Sequence, residues 1–170
     1  MSKALQITQA KPNPFGKDKT SSGQSKPEQL LGEWVDVKNI GTEPIQFSSM
    51  TLNHTLFDST CQTTNRTEKY WWGGDKQLLP GQVIRIHTGN FKDKHLMAEA
   101  DKVGVEWHGY ADRDNFVLNN RCGDRIFVIW PDANGRTASD VTYYRPDPPE
   151  GAVLRRRGDV LEPISAAGRY

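Results

Sequence analysis

Apolar and polar residues alternate with a period of two in several blocks between Leu30 and Tyr144. In EWVDVKNIG, Val35 and Val37 alternate with Asp36 and Lys38, which predicts a half-buried strand closed by a turn over Gly41 to Pro44. In PIQFSSMTL, Ile45 and Phe47 share one phase while Met50 and Leu52 share the other, so the inward face switches at Ser48-Ser49. A β-bulge or a strand crossing between sheets explains the slip. LLPGQVIRIHTG turns at Pro80-Gly81 and returns to strand chemistry with Ile84 and Ile86 inward. Asn115 to Tyr144 reads as three consecutive strands joined by turns at Gly123-Asp124 and Asn134-Gly135, the second supplying the positive-φ pair of a tight hairpin. Within it RIFVIW is apolar on both phases, as in a strand covered on both faces. The predicted core is Val35, Val37, Ile45, Phe47, Leu52, Ile84, Ile86, Phe127, Ile129, Val141 and Tyr143.

The remaining stretches are less regular. Residues 57–77 are too polar for a core element and long for a connection, which makes them a candidate functional loop. HLMAEADKV reads as one helical turn and VEWHGY as a strand. After Tyr144 the prolines of RPDPPEG cannot donate ladder hydrogen bonds and stop the sheet. Residues 1–28, rich in Lys, Ser, Gly, Pro and Gln, cannot offset their ordering entropy and read as a flexible tail. The organisation is therefore a tail over 1–28, a β domain over 29–145, and a Pro- and Arg-containing tail over 146–170.

GEWVDVKNIGTEPIQFSSMTL, then LPGQVIRIHTG, then VLNNRCGDRIFVIWPDANG, in this order and spacing, resemble the lamin tail domain family. The resemblance spans about residues 30–144 and implies an all-β fold, an immunoglobulin-like antiparallel β-sandwich with polar tails at both ends. Met50 and Leu118 stand where many bacterial members have tryptophan, a change of packing rather than of fold. No heptad-patterned rod precedes the domain and Ala167-Gly168-Arg169-Tyr170 is not a prenylation box, so filament building and lipid anchoring are not expected. The resemblance implies a stand-alone, adaptor-like member.

Composition narrows the classes of function. Net charge is only +1, so no global field recruits nucleic acid or an anionic membrane. The basic excess sits in residues 1–28. No apolar run approaches a membrane span, and the first residues lack the apolar core of a secretory signal, so a cytoplasmic location is expected. Cys61 and Cys122 are then expected as free thiols, and the Asn53-His54-Thr55 and Asn65-Arg66-Thr67 acceptor patterns as coincidences.

Catalytic motifs are missing from the sequence. His54, His87, His95 and His108 lack metal-ligand spacing, and Asp112-Arg113-Asp114-Asn115 lacks the Gly and distal Glu of a calcium loop. No cofactor, metal or enzymatic activity is expected. The suggestive feature is Tyr70-Trp71-Trp72: adjacent residues of an extended chain point to opposite faces, so one indole packs inward and the other stays at the surface. Together with Arg66, Lys69, Arg155, Arg156 and Arg157 these form the candidate partner-binding set. The leading expectation is a non-enzymatic protein-interaction or structural adaptor contacting its partner through loops and tails. A nucleic-acid-binding accessory module is the alternative, and a carbohydrate- or surface-binding module the second.

Overall fold

A computed structural model describes residues 1–164 of the chain. Its strands are β1 (Leu5–Lys11), β2 (Trp34–Asn39), β3 (Ile45–Gln46), β4 (Thr51–Phe57), β5 (Thr63–Trp72), β6 (Gln77–Leu78), β7 (Val83–His87), β8 (Trp107–Tyr110), β9 (Asp124–Pro131), β10 (Thr137–Tyr144), β11 (Leu154–Arg157) and β12 (Val160–Pro163). Among the described residues, helix is confined to α1 (Pro27–Gly32), α2 (Glu99–Lys102) and 3-10 turns at Phe47–Ser49 and Phe91–Leu96. The fold is all-β.

Ten strands form one sheet in the order β5-β4-β9-β10-β12-β11-β1-β2-β7-β8, curled until it nearly closes into a barrel. Pairing is antiparallel except at β10·β12 and β7·β8. The terminal strands β5 and β8 face each other where the Trp71 indole lies against Gly109; a Cβ there would stand 3.0 Å from the indole nitrogen. One apolar cluster fills the interior, drawing Leu5 and Ile7 from β1, Val35 and Val37 from β2, Leu52 from β4, Ile84 and Ile86 from β7, and Ile126 and Val128 from β9.

The phase switch at Ser48-Ser49 is a strand crossing. β3 pairs with β6 in a separate two-stranded sheet, the 3-10 turn Phe47–Ser49 redirects the chain, and β4 enters the large sheet with Met50 and Leu52 buried. The β9–β10 hairpin turns at Asn134-Gly135 as expected, but only Gly135 has a positive φ, 77°. Asn134 does not, so the expected positive-φ pair gives way to a wider turn in which Asp132 accepts from the Gly135 N–H and donates to the Arg136 carbonyl. Gly123 is required for a second reason: its φ is 71° and any Cβ would collide with the Tyr144 carbonyl.

Several expectations are corrected. Residues 1–28 are not a tail, because β1 inserts between β11 and β2 and buries Leu5, Ile7 and Ala10. The low apolar content that suggested disorder is concentrated in that one strand. Residues 146–170 are not simply a tail either: the prolines end β10, but the chain returns as the β11–β12 hairpin with Leu154 and Leu161 buried. Its last residues, 165–170, lie outside the described part.

Residues 57–77 hold a ten-residue strand, β5, rather than a loop. Asn115–Asn120 form no strand, so the predicted three-strand run contains two. The phase of that hairpin is also reversed. Ile126, Val128, Trp130 and Tyr144 face the core, while Phe127 and Ile129 are half-buried and Val141 and Tyr143 are exposed. The other seven predicted core residues are buried.

Asp36, expected in water, is fully buried. Arg85 clamps it with bonds of 2.8 and 2.9 Å, and the guanidinium lies 3.7 Å from the centre of the Trp34 ring. Asp101 from α2 accepts from the Trp34 indole at 2.9 Å and pairs with Lys11 at 2.8 Å. A polar layer therefore covers the second side of β1, β2 and β7. Because each charge has a hydrogen-bonded partner, this burial is tolerated.

Candidate binding face

Strand register fixes which side chains share the outer surface of β5, β4, β9 and β10. Trp72 stands opposite Thr51, Thr51 opposite Ile129, and Ile129 opposite Ser139. The next row runs Lys69, Asn53, Phe127, Val141. A third joins Arg125 to Tyr143, Tyr143 to Val160 on β12, and Val160 to Arg157 on β11. Alternation along each strand sends these residues out and their neighbours into the core.

The β9–β10 part of this surface is apolar, the β4 positions Thr51 and Asn53 are polar but uncharged, and cations stand at the rim. Trp72 is 63% exposed and Tyr143 43%. The Lys69 ammonium sits 5.2 Å from the centre of the Trp72 ring, a cation–π contact. The outward positions of β4, β5, β9 and β10 in these rows carry no carboxylate. Glu162 on β12 is the nearest along the register, and two arginines address it: Arg145 at 3.3 Å and Arg157 at 3.9 Å.

Of the eight candidate residues, the face brings together Lys69, Trp72 and Arg157. Trp71 and Tyr70 are buried, which corrects their assignment to the partner surface. Two adjacent residues point inward because β5 carries a bulge: Leu52 pairs with Trp71 but Asn53 pairs with Lys69, leaving Tyr70 as the extra residue. Trp71 and Trp72 do point to opposite sides. Arg66 is exposed but pairs with Leu56, on the opposite phase from Lys69.

Arg156 is also corrected. It forms a bidentate pair with Asp140 at 2.9 and 3.0 Å, and the same carboxylate accepts the Ile7 N–H freed by a register shift in β1. Its role is to lock the β1 seam. Arg155 is exposed, on the phase of Arg157, and donates to Gln9 at 3.2 Å.

Sequence reasoning missed Arg125, Phe127, Ile129, Val141 and Tyr143 as surface. RIFVIW offers two apolar phases, and both phases of β9 begin with a charge, Asp124 or Arg125. Long-range partners decide between them. Asp124 is drawn inward by His54, whose Nδ1 lies 2.9 Å away, and by the Asn119 N–H at 3.0 Å.

Beneath the face lies a buried polar network. His54 Nε2 reaches Glu68 at 3.2 Å, so the ring bridges carboxylates on β5 and β9. Burial alone would lower the His54 pKa, but the bonds and charge of Asp124, followed by Glu68, raise it above the usual value. Glu33, fully buried, accepts from the Thr88 hydroxyl and from the Val117 and Leu118 N–H groups, all on Oε1. Its Oε2 has no partner among the described residues, and burial pushes its pKa up to about 7. This network ties the irregular segment 115–123 to the barrel.

Cys61 and Cys122, expected as free thiols, form a disulfide with Cα atoms 5.2 Å apart. The β4–β5 connection folds back against the turn preceding β9, and that proximity across 61 residues was invisible in the spacing. No protein-family model matches the chain, and no curated protein matches it.

Proposed function

We propose that the chain is a non-enzymatic interaction module that docks a protein partner on the outer face of β5, β4, β9 and β10. We further assign it the lamin-tail type of immunoglobulin-like sandwich, with β5-β4-β9-β10 as one layer and β1-β2-β7-β8 as the other. The β11–β12 hairpin, which stands between β10 and β1 in the sheet order, would then be the corner where one layer passes into the other. The observation that carries the functional reading is the face itself: an exposed Trp72 and Tyr143 around half-buried Phe127 and Ile129, free of carboxylates. Aromatic anchors with a depleted charge centre are what protein interfaces concentrate.

Val141→Glu and Trp72→Ser test the reading. Each leaves the thermal transition within about 2 °C, the scale of a surface change of less than ~0.5 kcal/mol. A native-host partner recovered by the immobilised wild type is then lost from both variants. Equal recovery by wild type and variants rejects the face.

A nucleic-acid reading has one observation in its favour, the gathering of Arg125, Arg145 and Arg157 around Tyr143. Counterion release would then make affinity fall steeply with salt. Little binding is expected near physiological salt. The Cys61–Cys122 bridge supports an oxidising compartment rather than the cytoplasm, since reducing pools oppose structural disulfides. Acid-quenched alkylation of native extract reads this directly: two labelled thiols would place the protein back in a reducing compartment.

A further inference from the structure

At the edge of the face, beside the disulfide, Phe57, Cys122, Arg125, Tyr143, Arg145 and Pro146 line a cleft of about 410 Å³. Its lining is mainly apolar, drawn from Phe57, Cys122, Tyr143, Tyr144 and Pro146. Two guanidinium-bearing side chains border it. Arg145 shares Glu162 with Arg157, and Arg125 has no ion pair among the described residues. Asp124 also lines the cleft, but its carboxylate is fully buried and committed to His54 and to the Asn119 and Arg125 N–H groups. Three arginines thus meet one available carboxylate, and the cleft is short of anionic partners. Pockets with apolar walls and a few convergent polar groups are built to hold a ligand in one orientation.

We infer that this cleft is the anchoring pocket of the face and takes an acidic segment of a protein partner, an apolar side chain between the Phe57 and Tyr143 rings with a neighbouring carboxylate on Arg125. The inference rests on the reading of the face as a docking surface. Arg125 and Arg145 select for carboxylate, since a guanidinium offers two parallel donors that match both carboxylate oxygens. A basic segment is rejected by the same groups.

The experiment uses the full chain and a fluorescein-labelled decapeptide alternating Glu and Phe, with a Lys and Phe counterpart and a labelled oligodeoxythymidine, followed by fluorescence anisotropy near 0.15 M salt. The acidic peptide is expected to bind at least tenfold more tightly than the basic one. Arg125→Glu is expected to remove at least tenfold of that affinity, Arg125→Gln less, and Arg136→Glu, at the β9–β10 turn, none. Circular dichroism and the thermal transition confirm that each variant is folded.

Equal binding of the two peptides overturns the pocket. So does loss of peptide binding in Trp72→Ser with retention in Arg125→Glu, which would leave the wider face standing. Loss in Arg125→Glu with retention in Trp72→Ser supports the pocket and refutes the wider face. Oligodeoxythymidine binding more tightly than the acidic peptide, with the same sensitivity to Arg125, overturns the peptide as occupant.

Discussion

Glu33 is a buried acid whose two oxygens lead unequal lives, one accepting three bonds and the other none. Its pKa rises from 4.5 to about 7, so the folded state holds the proton more tightly than the unfolded chain. Stability contributed by the protonated form is complete below pH 4.5, declines as pH rises toward 7, and is then lost, on the order of 3 kcal/mol at ~1.4 kcal/mol per unit. His54 acts in the same direction at higher pH, because its raised pKa makes the protonated ring stabilising until pH passes through the folded value. His87 opposes both: burial lowers it to about 4, so its contribution is present above pH 6.5 and is lost as pH falls toward 4. Because the Glu33 loss and the His87 gain run in opposite directions over nearly the same range, urea midpoints measured from pH 4 to 8 should rise with pH more steeply between pH 4.5 and 6.5 in a Glu33→Gln variant than in the wild type. Parallel curves would mean that Glu33 is ionised in the fold.

The two neighbouring tryptophans make a second residue-scale contrast. Trp71 is 4% exposed and fills the gap between β5 and β8, whereas Trp72 stands in solvent. Trp71→Ser is expected to cost at least ~3 kcal/mol by cavity formation and a buried hydroxyl, and Trp72→Ser less than ~0.5 kcal/mol. Chemical denaturation of the two variants side by side gives the answer.

At the scale of elements, the disulfide joins the β4–β5 connection to the turn before β9 and closes a loop 61 residues apart. Chain-entropy reasoning assigns such a loop about 4 kcal/mol, usually less in practice. Replacing both cysteines with serine should lower the unfolding free energy by about 2–4 kcal/mol, read from denaturant midpoints with and without reductant. The elements also show what the sequence could and could not reveal. β2, β4 and β7 were legible because one phase of each is plainly apolar, and the β9–β10 hairpin because Asn134-Gly135 encodes its turn. β1 was hidden because Leu5, Ile7 and Ala10 are its only inward side chains of any size and a bulge interrupts their alternation. β5 was hidden because eight of its ten residues point to water or are half-covered. Asp36 read as solvent-facing and Asp124 as part of a turn, since burial of a carboxylate depends on partners, Arg85 and His54, that lie 49 and 70 residues away.

For the whole molecule, closure of the sheet depends on both ends of the described chain, as β10, β12, β11 and β1 stand side by side. Contacts of such long sequence separation place folding toward the slow end for a domain of this size. Ile7→Ala, at the middle of this seam and fully buried, is expected to cost about 2–5 kcal/mol, and stopped-flow refolding shows whether the seam forms before or after the rate-limiting step. The candidate face was only partly legible at this scale. Trp72 and Lys69 announce themselves locally, but Arg157 joins Tyr143 through a parallel pairing between β10 and β12 that no local pattern encodes.

β1 has a further property: it is joined to the next strand by a long connection, residues 12–33, yet lies in a slot walled by β11 on one side and β2 on the other. A strand held in this way is a removable part. A chain beginning at residue 13 would carry an open slot whose backbone donors and acceptors await an extended segment, and a synthetic peptide spanning residues 2–12 would supply the missing apolar teeth. The two fragments should reassemble into one cooperative unit whose midpoint rises with peptide concentration, which makes this protein a natural substrate for fragment complementation and, at high concentration, for exchange of β1 between copies.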